Sequence, residues 1–96
     1  WLDDVRPMPE NFDVWCRTGE NCIPLIKVDK VTHLSFDHDL GIATTGYDLA
    51  KFIEVMAFVN ACKPFTWDIH SANPVGRKNI EMAMKSAERF WSKNEK

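Results

Sequence analysis

The sequence lacks an excess of charge of either sign. Its 12 Lys and Arg stand against 14 Asp and Glu, for a net charge of −2. That balance removes the basic footprint that would hold duplex DNA or an anionic membrane. The chain also lacks an apolar run long enough to cross a bilayer, a low-complexity tract, a convincing repeat and a visible signal peptide. Its cysteines, Cys16, Cys22 and Cys62, are odd in number and without zinc-site spacing. They read as reduced, partly buried thiols of a cytosolic protein. The chain opens on Trp1 rather than Met, which leaves room for residues upstream. What is present is 96 residues, 45% hydrophobic and 27% charged. That is enough for one small globular domain, 1–96, with one core.

Strand and helix signals alternate. Trp1-Leu2 reads as the end of a strand, followed at once by Asp3-Asp4. Pro7 and Pro9 keep the link up to Asn11 from being a regular helix. Phe12 to Arg17 alternates like a short half-buried strand. Thr18 to Asn21 is a helix start, and Pro24 belongs in a first turn, so this helix is expected to begin at Glu20 or Asn21 and end near Lys30. Val31 to Phe36 is an apolar strand, Gly41 to Thr45 a loop, and Tyr47 to Ala61 a helix opening near Gly46 and stopped by Lys63-Pro64. Phe65 to His70 is the next strand. Asn73 and Pro74 then open a last helix with Ile80, Ala83, Met84, Ala87 and Trp91 on one face and a Glu81–Lys85 pair outside. Met56, Met82 and Met84 are core by spacing, and the tail from Ser92 is expected to fray. Strands alternating with helices predict an α/β domain with a parallel sheet.

Parallel sheets gather chemistry at the carboxyl ends of their strands. That rule brings Asp3-Asp4, Asp37-His38-Asp39 and His70-Ser71 to one edge, although they are far apart in sequence. A single Asp usually caps a turn. Several carboxylates at one strand edge repel unless protonated or bridged by a cation, and an all-oxygen set suits a hard ion such as Mg²⁺. His70 is a candidate general acid, metal ligand or phosphate donor, against the plainer reading of a hydrogen-bonded boundary histidine. His38 is expected to point away from Asp37, and His33 to be structural. Ser71-Ala72-Asn73-Pro74 leads into a helix N-terminus, where free N–H groups attract phosphate. Arg77, in that first turn, opposes the helix dipole unless it clamps an anion, and Arg6 is a second candidate clamp.

WLDD-x-R-x-x-P, SFDHDLG, TGYDLAKFIE and HSANPVGRKNIE resemble, over nearly the whole chain, the cyclic-phosphate processing receiver domain, a compact family of phages and bacteria. The link from Asp4 to Phe12 is too short for a receiver's usual first helix, and the chain lacks the final strand and lysine of signalling receivers. The resemblance implies a shortened, flavodoxin-like, three-layer receiver fold with about four parallel strands in the order 2-1-3-4, counted from Trp1, Phe12, Val31 and Phe65. It implies metal-dependent phosphoester chemistry on a cyclic nucleotide or a 2′,3′-cyclic RNA end, in the cytoplasm of a bacterial cell or phage-infected host. In this reading Asp3, Asp4 and Asp37, with Asp39 as a further candidate, hold Mg²⁺ or Mn²⁺. A water on the metal or Asp37 itself attacks phosphorus, His70 protonates the leaving oxygen, and Ser71, Asn73, Arg77 and Arg6 face the phosphate. The alternatives are a phosphorylatable signalling module with Asp37 as acceptor, and a silent nucleotide- or protein-binding domain.

Overall fold

The computed structural model describes residues 1–39 and 45–94. Most of the loop expected at Gly41 to Thr45, and the last two residues of the tail, lie outside them. The element order is α1 (Gly19–Lys27), β1 (His33–Phe36), α2 (Gly46–Phe58), β2 (Thr66–Ile69) and α3 (Pro74–Asn94).

Local signals explain the boundaries. Thr18 caps α1 through a hydrogen bond from the Asn21 N–H, so the helix starts earlier than Pro24 suggested. Pro24 sits inside it rather than in its first turn. Asp29, at φ 56°, turns the chain out after Lys27, before the expected end at Lys30. Thr45 and Asp48 form a reciprocal capping box at the start of α2. That helix stops at Phe58 rather than Ala61, because Asn60 takes the left-handed conformation at φ 57°. The last helix runs past Ser92 to Asn94, where the Asn94 amide donates to the Ala57 carbonyl.

β1 and β2 pair in parallel, from His33 against Thr66 to Phe36 against Ile69. The expected four-stranded sheet is reduced. Leu2 makes single parallel bridges, to Cys16 on one side and Phe36 on the other. Trp1-Leu2 and the Phe12–Arg17 stretch therefore enter the sheet as isolated bridges, not strands.

The helices pack in succession, α1 on α2 and α2 on α3, with α3 against β2. Among the described residues, no helix forms between Asp4 and Phe12. One face of the β1–β2 pair carries polar side chains, His33, Ser35, Thr66 and Asp68. Leu2, Leu34, Phe36 and Ile69 face the core with Ile53, Ile80 and Met84, each burial worth roughly 1.5–3 kcal/mol. Met82 departs from its expected place and is exposed, because it falls off the stripe formed by Ile80, Ala83, Met84, Ala87 and Trp91. The Glu81–Lys85 pair forms at 3.5 Å. All three cysteines are free and buried. Among the described residues, no helix is long and apolar enough to cross a membrane.

Candidate functional site

Where Leu2 and Phe36 bridge, the chain leaves the sheet through Asp3-Asp4 on one side and Asp37 on the other. One ligand oxygen from each of Asp3, Asp4 and Asp37 lies within 4.8 Å of the others. Asp3 is almost wholly buried and tightly held. Its Oδ1 accepts the Val5 N–H at 2.9 Å and the Arg6 N–H at 2.8 Å. Its Oδ2 lies 2.9 Å from His70 Nε2. The turn Leu2-Asp3-Asp4-Val5-Arg6 thus wraps around its own carboxylate. Asp37 accepts the His38 N–H on Oδ1 at 2.9 Å, and no hydrogen bond to its other oxygen is found among the described residues.

The two buried carboxyls are pushed in opposite directions. Burial raises the Asp3 carboxyl, but the two backbone N–H groups and the His70 imidazole outweigh it, and the net shift is downward. Burial and the neighbouring Asp3 charge raise Asp37, against the His38 N–H and the charges of His70 and Arg6. A pair of carboxylates in which one is stabilised and the other is destabilised by it is a site that a cation would relieve. The donors are all oxygen, and Asp3 spends three of about four lone-pair positions, which leaves one open. This set fits a hard divalent ion.

The glycine of TGYD holds the site in shape. Gly46 N–H donates to the His38 carbonyl at 2.9 Å, and a Cβ on Gly46 would stand 1.9 Å from the Asp37 carbonyl oxygen. Only glycine lets the first turn of α2 approach the backbone that carries Asp37 so closely. Gly76 does the same for His38: a Cβ there would overlap the imidazole. His38 accordingly packs on the first turn of α3.

The other expected site residues divide. Asp39 does not join the carboxylate group; it is largely exposed and pairs with His38 Nδ1 at 3.0 Å. His70 ends β2 beside the cluster, but both ring nitrogens are engaged, Nε2 with Asp3 and Nδ1 with Ser35 Oγ at 2.8 Å. As placed, it serves Asp3 and has no free nitrogen to present to a leaving group. Burial pushes its imidazole below the usual value, against the pull of Asp3 and Asp37. Arg77 Nη1 donates to the Ile69 and Ser71 carbonyls, fastening the turn after β2. Ser71 Oγ accepts the Asn73 N–H, and Asn73 Oδ1 accepts the Gly76 N–H. Pro74 has no N–H and that of Gly76 is capped, so the expected anion site at this helix start has few donors left. Arg6 Nη1 donates to the His70 carbonyl at 2.6 Å, which brings its guanidinium beside the cluster. His33 is exposed, away from the carboxylates, and pairs with Thr66 Oγ1.

Two residues of this neighbourhood escaped the sequence reading. Ser35 is buried under His70, and Trp1 stacks flat on the His70 ring at 3.8 Å and 4°. The signal for Ser35 was a hydroxyl inside the apolar Val31–Phe36 run. Trp1 carried none, because stacking partners are set by the fold. A cavity of about 680 Å³ lies elsewhere, at the amino end of β1 beside Phe12, Val14, Cys16, Leu25 and Leu34. None of the clustered carboxylates lines it.

No curated protein and no solved structure matches this chain. The family model of the cyclic-phosphate processing receiver domain matches residues 1–86. That span takes in all of the candidate site, from Asp3 to Arg77, and the chain belongs to the cyclic-phosphate processing receiver domain family.

Proposed function

We propose that this carboxylate edge opens a cyclic phosphate, a cyclic nucleotide or the 2′,3′-cyclic end of an RNA, and that Asp3, Asp4 and Asp37 hold Mg²⁺ or Mn²⁺ to do so. The observation that carries the proposal is the convergence of three carboxylate oxygens within 4.8 Å at the strand ends. A divalent ion held there supplies charge neutralisation and polarisation at a phosphoryl oxygen.

The protein's own groups have separate tasks. Asp3 is the fixed ligand, held by Val5, Arg6 and His70. Asp37 is the adaptable one, with one oxygen committed to the His38 N–H and the other turned to the cation or to phosphorus. Arg6, whose positive charge reaches Asp37, is the cation placed to meet a second phosphoryl oxygen. His70 holds Asp3 rather than acting on the leaving oxygen. Ser71, Asn73 and Arg77 hold the turn that places His70. Asp39 stands outside the metal set.

The test is a substrate screen. The protein is incubated with Mg²⁺ or Mn²⁺ and a panel of 2′,3′- and 3′,5′-cyclic nucleotides and cyclic-phosphate-ended RNA, and products are read by mass. A gain of one water on a cyclic substrate, lost with chelator and in Asp37→Asn, is expected. No product from any cyclic phosphate with either metal would sink the reading.

A further inference from the structure

The polar line Ser35–His70–Asp3 runs from inside the sheet to the carboxylate cluster. Asp3 Oδ2 lies 2.9 Å from His70 Nε2, and Ser35 Oγ lies 2.8 Å from His70 Nδ1. Ser35 and Asp3 are 3% and 1% exposed, so neither readily exchanges its partner for water. A carboxylate can only accept, so Nε2 carries the proton. In a neutral imidazole Nδ1 is then bare and can only accept, so the Ser35 hydroxyl donates to it. The ring cannot easily turn to another arrangement. Trp1 lies flat against it, and Arg6 Nη1 grips the His70 carbonyl.

We infer that Ser35 is a positioning residue for the metal site: its buried hydroxyl holds His70 Nδ1, and so keeps the ring turned with Nε2 on Asp3 and Asp3 aimed at the cation. This rests on the proposed metal-binding role of Asp3. Without the hydroxyl, Nδ1 loses its partner. Nε2 still carries the proton, because Asp3 can only accept, but the ring is no longer held from both ends. It can then turn away from Asp3, and Oδ2 loses its anchor. Partners of this outer kind alter metal affinity by about 10–100-fold.

The experiment uses the whole chain and Mn²⁺ alone, with free Mn²⁺ read by electron paramagnetic resonance. Ser35→Ala should weaken Mn²⁺ binding about tenfold or more while the metal-free protein melts within a few degrees of wild type. His70→Gln, which keeps a donor near the Nε2 position, should retain more affinity than His70→Leu. Long-range ¹H–¹⁵N spectra of the histidines supply a readout that simple packing would not move. Wild type should show His70 protonated on Nε2, and Ser35→Ala the same tautomer with its Nδ1 resonance shifted by loss of the hydroxyl's hydrogen bond. Mn²⁺ affinity within about twofold of wild type in Ser35→Ala overturns the inference. If wild type binds no Mn²⁺, the metal reading fails by itself. The spectra still decide the contact, because an Nδ1-protonated His70 in wild type, or an Nδ1 resonance indifferent to Ser35, overturns it.

Discussion

Asp37→Asn should make the metal-free protein more stable and remove its response to metal. Asp37 is buried, and its carboxyl is raised by burial and by the charge of Asp3. Its ligand oxygen lies within 4.8 Å of those of Asp3 and Asp4. At an effective dielectric near 20, like charges at such separations repel by roughly 3–4 kcal/mol before solvent relaxation. The nearby Arg6 and His70 offset much of this, so about 1–2 kcal/mol is a reasonable residue for the metal-free fold. Asparagine keeps an acceptor for the His38 N–H, so the loop should survive the change. In a domain of this size, 1 kcal/mol moves the melting temperature by roughly 4–8 °C, so Asp37→Asn should melt several degrees above wild type in chelator. Metal reverses the order of gain. At ten times its dissociation constant, an ion that binds only the folded state adds about 1.4 kcal/mol, and wild type should rise by several degrees while the variant barely moves. The assay is a melting curve by circular dichroism with and without Mg²⁺. A variant that is less stable than wild type in chelator, or that gains as much from Mg²⁺, refutes the view that Asp37 is a repelled carboxylate relieved by a cation.

Gly46→Ala should cost about 3 kcal/mol or more and blunt Mn²⁺ binding, because its Cβ would strike the Asp37 carbonyl; a melting curve near wild type would show that α2 does not hold this loop. Thr45→Ala removes the cap that accepts the Asp48 N–H and should cost about 1 kcal/mol in urea unfolding, with metal affinity unchanged. His70 is held below its usual value of 6.5, so its stabilising contribution is complete above that pH and is lost as pH falls toward the folded value. Metal-free wild type should therefore lose melting temperature through this window, and His70→Gln should lose less; equal slopes would exclude His70 as the group concerned. Acetyl phosphate should leave no lasting covalent mass shift on wild type, whereas a stable adduct on Asp37 would favour a signalling module over turnover.

Much of the fold was legible because local chemistry specified it. Thr45 and Asp48 announce a capping box, Asn73 and Pro74 start the last helix, and the stripe of Ile80, Ala83, Met84, Ala87 and Trp91 is buried as its spacing required. The alternation of strand and helix, with carboxylates after the strands, was enough to bring Asp3, Asp4 and Asp37 together, since parallel sheets align their carboxyl ends. The extent of the sheet was not legible. Whether an apolar stretch forms a strand or one bridge depends on what lies alongside it, and Leu2 finds one partner on each side, Cys16 and Phe36, with no ladder beyond them. The roles at the site were likewise left to the tertiary structure. Arg77 was expected on an anion and instead binds carbonyls, and Asp39 turns to His38. His70 was expected to face a substrate and is instead fixed between Ser35 and Asp3. Sequence determined which titratable groups reach one edge, through strand direction and turn chemistry. Only the packed structure decided which atoms they spend on each other, because a side-chain nitrogen or oxygen is claimed by the nearest buried partner, and nearness between residues 35 and 70 is a property of the fold alone.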